Sequence, residues 1–404
     1  MSLVLRGASL IDGTGADPVR SASVRVEGNR IAALAPAAKG DDVVDLEGCT
    51  ILPGLIDAHT HLGIAYSLAG GGEISAAELA AGVFENCRLA LESGFTTCRD
   101  LAGLDGGIVQ AIDRGAVRGP RIFPSGTAIA QDGGHGTFQP RWSECHCGIS
   151  IPGLVDAVTV CTGADEVRRA ARRAFRRGAT QLKVFLSGGV ISLTDEIEDT
   201  QLSIDEIRVA VEEARARHTY VTGHAHNNGA IRNGLAAGVA CFEHCSWMDE
   251  ETARAMKDAD ASFVPTQTIA AVMRRDYRAL GMPDLVVPRI EQVADRAVNA
   301  VRLAIAAGVR VGSGSDLLGP RQKDRGLELV LRAEIAGPMA AIVAATSTNA
   351  QILGVADRLG TVAAGKLADF TVVRGDPLAE PALFADPSRI VWVMKNGVVE
   401  KDAR

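Results

Sequence analysis

Hydrophobic positions along this chain follow two styles. From Ser2 to about Pro53, short β-like runs at Leu3 to Leu5, Ser23 to Glu27, Arg30 to Leu34 and Val43 to Asp45 are broken by Gly and Asp, the pattern of a small antiparallel β unit. The tail from Lys366 repeats it in Ala368 to Val373 and Ile390 to Val399, with Lys395-Asn396-Gly397 offering a tight hairpin turn. The two ends are expected to form one small β-sandwich domain, residues 1–53 plus 358–404.

Between them the period changes. Short apolar strands alternate with stretches rich in Ala, Glu, Leu and Arg, which argues for parallel βαβ units. The strands are expected at Leu55 to Thr60, Phe95 to Arg99, Arg121 to Ser125, Gln181 to Leu186, Thr219 to His224, Val239 to Glu243, Ala261 to Thr266 and Val309 to Ser315. Helices fill the gaps, among them Ala76 to Ser93, Asp165 to Arg177, Ile204 to Arg217 and Arg289 to Ala307. Eight strands with intervening helices close into a (β/α)8 TIM-like barrel, so the fold class is α/β and residues 54–357 form the large domain.

Composition narrows the function. A chain of 404 residues that is 47% hydrophobic buries more than one ordinary core. The formal net charge is only −7, and the basic stretch Arg168 to Arg177, interleaved with apolar residues, reads as a solvated helix face. Aromatics at 4% are too few for single-strand nucleic-acid stacking or a membrane belt, so the expected partner is a small molecule, with neither nucleic acid nor membrane. No apolar stretch of about 18 residues occurs and the start lacks a signal-peptide pattern, which points to a soluble cytoplasmic protein. Eight cysteines without a repeated Cys-x-x-Cys frame read as reduced thiols.

In a barrel, chemistry sits where strands end, and His59, His61, His224 and His244 fall at ends of expected strands. His59-Thr60-His61 has the period-two spacing that puts both imidazoles on one side of an extended chain, converging on a shared ion. Asp316 follows Gly312-Ser313-Gly314-Ser315 at the end of the eighth strand, where a carboxylate can ligate a metal and take a proton from water. Lys183 lies inside the apolar run Leu182 to Leu186, and a lone buried ammonium is costly unless it is neutralised or paired. His135 and His226 sit in loops beyond strand ends and suit substrate contacts, whereas His218 closes a helix and suits its dipole. Arg99-Asp100 reads either as a rim ion pair or as a substrate contact, and Cys145-His146-Cys147 lacks a fourth ligand for a zinc site.

The string Leu52-Pro53-Gly54-Leu55-Ile56-Asp57-Ala58 before His59 resembles the signature that opens the barrel in the amidohydrolase superfamily. The resemblance extends to Ala364-Gly365-Lys366-Leu367-Ala368-Asp369-Phe370 and Val393-Met394-Lys395-Asn396-Gly397 near the end. Gly133-Gly134-His135-Gly136, Ser187-Gly188-Gly189 and Gly314 to Gly319 resemble the imidazolonepropionase-related group, most of all its prolidase-type dipeptidases. That likeness implies two divalent metal ions, zinc for preference, with His59, His61 and Asp316 on one and His224 and His244 on the other. Lys183, carboxylated by carbon dioxide to a carbamate, would bridge them. Asp316 would be the catalytic base, and the cations would acidify a shared water that attacks an amide bond.

The substrate implied is a dipeptide with C-terminal Pro, or Arg or Lys, or an N-acyl amino acid, and relatives often form homo-oligomers. Two departures qualify this. His226 stands where prolidase-type members usually carry a tyrosine, as in relatives that cleave before Arg or Lys, and Ser315 replaces the usual threonine. A cyclic amide is the nearest alternative substrate, and a non-catalytic scaffold the remote one. A mononuclear deaminase is disfavoured, since the glutamate typical of it would stand at Asn227.

Overall fold

The structure, a computed structural model, describes residues 2–65, 74–137, 142 and 149–404. Its larger part is a ring of parallel strands: β1 (Leu55–Thr60), β2 (Phe95–Asp100), β3 (Arg121–Pro124), β4 (Leu182–Phe185), β5 (Val221–Ala225), β6 (Cys241–His244), β7 (Ser262–Val264) and β8 (Arg310–Val311). Strands β1 to β3 pair in order, as do β4 to β8. Beyond Pro124 the chain continues as Ala128–Gln131, which pairs with β4 and also with a strand that the hydrophobic pattern did not reveal, Val158–Cys161.

The ring closes between β8 and β1 without a regular ladder. Ala58 and Asp316 donate their amides to Ser313 O (3.0 Å) and His59 O (2.8 Å). Asn349 clamps the seam, its amide nitrogen reaching Ile56 O at 2.7 Å and Ser313 O at 2.8 Å. This is why β8 is shorter than the expected run to Ser315: Gly312 still donates to Phe263 O on β7 (2.8 Å), but side chains and cross-seam contacts hold Ser313 and Ser315.

Helices cover the ring as the periodicity predicts. Ala76–Glu92 is capped by Ser75, and Ile204–Arg215 by a reciprocal Ser203 and Glu206 box, which together satisfy amides that the helix itself cannot. Ala164–Arg176 buries Val167, Ala170, Ala171 and Ala174 while Arg168 and Arg172 bind Glu213, so the basic stretch is a solvated face. Among the described residues no helix is long and apolar enough to cross a membrane.

Both chain ends build one eight-stranded sheet. Leu3–Leu10 pairs antiparallel with Val19–Glu27 but parallel with Asp42–Asp45 and Cys49–Pro53, so the N-terminal unit is mixed and not antiparallel. Cys49–Pro53 escaped the pattern because five residues closed by Gly48 and Pro53 show little alternation. Its partner, Phe370–Arg374, comes from the other end of the chain. Leu5, Val24, Phe370 and Trp392 share one core inside this sheet. The Lys395-Asn396-Gly397 turn holds Asn396 and Gly397 at φ 54° and 78°, as a two-residue hairpin loop requires.

Beneath the β8 seam, Asp57 accepts Ser315 N (3.0 Å), Ser315 Oγ (2.6 Å), His59 N (3.2 Å) and the Arg325 guanidinium. Arg325 is fully buried. Arg325→Met should lower unfolding free energy in denaturant titration by about 3–5 kcal/mol, because the remaining carboxylate stays buried without its counter-charge. An unchanged denaturation midpoint would refute that account.

Candidate metal centre

The C-terminal end of the ring gathers imidazoles from three strands. His59 and His61 project to the same side, as the spacing predicts, with Nε2 atoms 3.3 Å apart. Asp316 Oδ1 lies 2.9 Å from His61 Nε2 and 3.3 Å from His59 Nε2, and its Oδ2 lies 3.8 Å from His244 Nδ1. One ligand atom each from His59, His244 and Asp316 falls within 4.8 Å of the others, a grouping able to hold a metal ion.

The remaining histidines continue the cluster. The His224 ring lies 4.5 Å from His244, 4.7 Å from His226 and 4.4 Å from His135, on which it stacks. His226 Nδ1 meets Ser246 Oγ at 2.7 Å, and His135 Nδ1 meets Ser192 Oγ at 2.9 Å. Lys183, on β4, is buried at 1% exposure, and its Nζ lies 5.7 Å from the Phe185 ring centre.

Local backbone supports this convergence. His244, Cys245, Thr266 and Asp316 hold φ of 70°, 42°, 51° and 54°, a region that costs a non-glycine residue roughly 1–3 kcal/mol. The His244 ring is steadied by Thr266 Oγ1 at 2.7 Å from Nδ1. Glycine is required at 314, where a Cβ would stand 2.6 Å from His59 Cβ.

Burial and mutual repulsion among the imidazoles set the charges. Burial, reinforced by neighbouring histidines and Lys183, drives His224 well below the ordinary value. Burial drives His244 well down too, Asp316 opposing while His59 and His226 reinforce. Burial also takes His135 and His226 down to about 3. These rings are therefore neutral near pH 7, the state in which nitrogen donates a lone pair to a metal. Burial lowers Lys183 to about 8, against the pull of Glu243 and Asp316. Asp316 stays well below the carboxylate range, since His59 and His61 outweigh its burial.

A model of the Amidohydrolase family matches residues 50–399. The chain belongs to the amidohydrolase family. Ochratoxinase of Aspergillus niger is 33% identical over 371 residues, covering 87% of this amidohydrolase and 75% of the relative. A prolidase solved with N-methylphosphonate-L-proline superposes with TM-score 0.93 at 34% identity over 100% of both chains. A Xaa-Pro dipeptidase with methionine bound in its active site gives 0.89 at 27% identity over 99% of each.

Two features of this amidohydrolase were not read from its sequence correctly. Arg99 and Asp100 do not pair: Arg99 Nη2 crosses the ring to Glu243 Oε1 at 2.7 Å, while Asp100 accepts Leu62 N (2.6 Å) and Leu104 N (3.2 Å). Glu243 itself, 2.7 Å from His59 Nδ1, was passed over because a glutamate ending an apolar strand carries no local mark of its partners. Asn227 caps the helix Asn228–Ala237 by accepting Ala230 N, which gives it a structural task. His218 follows Ile204–Arg215 at φ 57°, its amide bonded to Arg215 O. The Cys145-His146-Cys147 segment lies outside the described residues.

Proposed function

We propose that this protein is a binuclear metal-dependent amidohydrolase that cleaves the amide bond to a C-terminal amino acid. The observation that carries the reading is the meeting of buried His59 and His244 with the partly buried His61 and Asp316, with His224 and Lys183 beside them. Imidazole nitrogens and an ionised carboxylate are a donor set suited to zinc, manganese or cobalt. His59, His61 and Asp316 would hold one cation, and His224 and His244 the second. Lys183, carboxylated at its ε-nitrogen, would touch both. When bound, the two cations acidify water and polarise the scissile carbonyl.

The protein's own groups do the rest. Asp316 takes a proton from the attacking water and returns it to the departing nitrogen, so that the C–N bond breaks to a carboxylic acid and an amine. His226 and His135, their rings steadied by Ser246 and Ser192, bind the carbonyl or the terminal carboxylate. The names of the prolidase and dipeptidase relatives support Xaa-Pro substrates, and ochratoxinase supports a wider amide range. His226 in place of tyrosine favours a leaving residue such as Arg or Lys as well.

A panel of Xaa-Pro, Xaa-Arg and Xaa-Lys dipeptides, N-acyl amino acids and cyclic amides tests this reading. Hydrolysis of at least one of the first four classes is expected, lost on chelation and restored by zinc. Turnover that survives complete metal removal would overturn it. His226→Ala should raise KM more than it lowers kcat, and equal constants would remove its binding role.

A further inference from the structure

Among the described residues, the Glu243 carboxylate meets three donors and one imidazole. Its Oε1 accepts Arg99 Nη2 at 2.7 Å, the Cys241 thiol at 3.4 Å and the Thr222 hydroxyl, while Oε2 stands 2.7 Å from His59 Nδ1. Arg99 is itself fixed, with Nε on Ala58 O (2.5 Å) and Nη1 on Tyr220 Oη (3.2 Å). Both charged partners are 0% exposed, so neither can turn to water. A carboxylate bound to a guanidinium can only accept, so Nδ1 of His59 has to carry a proton. A singly protonated ring then keeps its lone pair on Nε2, the atom 3.3 Å from both Asp316 Oδ1 and His61 Nε2.

We propose that Glu243 is the positioning residue of the first cation site: it locks His59 as the Nδ1–H tautomer and aims Nε2 at the ion, while Arg99 holds the carboxylate in place. The proposal rests on the metal-centre reading above. It extends that centre from the barrel mouth to a buried pair on β2 and β6, in the manner of outer partners that orient ligating histidines elsewhere. Glutamine cannot substitute. Its single amide oxygen can face Arg99 or His59 but not both. Facing Arg99, it turns an NH2 toward Nδ1 and forces the ring into the opposite tautomer.

The test is a 15N-histidine NMR spectrum of the whole protein, metal-free and zinc-loaded, with His59 assigned by loss of its signals in His59→Asn. It is paired with zinc competition against a chromophoric chelator. In the wild type a protonated His59 Nδ1 is expected in both states, and in Glu243→Gln the zinc dissociation constant should rise about 10–100-fold with the fold retained by circular dichroism. An unprotonated Nδ1 in the wild type, or wild-type zinc affinity in Glu243→Gln, overturns the proposal. The wild-type spectrum decides even if the variant does not fold. A wild type that binds no zinc would instead overturn the metal-centre reading, with the metal-free Nδ1 signal still deciding what Glu243 does.

Discussion

Asp316→Asn is expected to keep much of the bound metal and to lower kcat by about 10²–10⁴-fold, the usual contribution of a positioned acid–base group. The substitution retains shape and one carbonyl oxygen, so the contacts with His61 at 2.9 Å and His59 at 3.3 Å can survive. What disappears is the second anionic oxygen, and with it the capacity to hold a proton between attack and departure of the amine. Asp316 is anchored by its own amide on His59 O, so the variant should not drift from the centre. Metal content by elemental analysis, measured beside kcat, separates the two roles. Full metal with wild-type kcat would leave the proton-transfer assignment without support.

Lys183→Met should be about as costly to catalysis and yet easier on the fold. Burial depresses the ammonium to about 8 from an ordinary value of 10.5, so the metal-free native state resists its charge. The sign follows from linkage: between those values the unfolded chain holds the extra proton, so native stability rises with pH, and the penalty is present in full below about pH 8. In metal-free protein at pH 7, methionine, similar in length and uncharged, should therefore raise the unfolding midpoint. The same variant has no amine to form a carbamate. It should hold fewer than two cations per chain and lose several kcal/mol of transition-state stabilisation, about 10³-fold in kcat.

The wild type offers a complementary measurement. Carbon dioxide adds to the neutral amine, forming an N–C bond and releasing a proton. Reconstitution with zinc and bicarbonate should therefore quicken as pH rises toward about 8, and intact mass should increase by one carboxyl group. A Lys183→Met variant with unchanged kcat would discard the bridging role. It would also leave the buried lysine without a function.

How far each part was legible follows from how its signal is encoded. The His59-Thr60-His61 pair is a two-residue pattern, and strand periodicity alone makes its side chains converge. The ends of β1, β5 and β6 are marked by where apolar runs stop, and His224 and His244 stand at two of those ends. Lys183 stood out because a charge within an apolar strand violates a local rule. Glu243 broke no such rule strongly enough, and its partner Arg99 is 144 residues away. The Arg99-Asp100 adjacency misled for the same reason, since neighbours along a strand point to opposite faces.

By itself the chain's pattern of apolar and polar positions determined the alternation of strands and helices and the rim at which polar groups emerge. These depend on local periods of about 2 and 3.6 residues, which a single segment carries whole. Tertiary structure alone decided which buried charges meet: Glu243 with Arg99, Asp57 with Arg325, and the parallel placement of Cys49–Pro53 beside Leu3–Leu10. Such pairings depend on ring closure and on desolvation shared between distant segments, and a linear pattern holds no record of either.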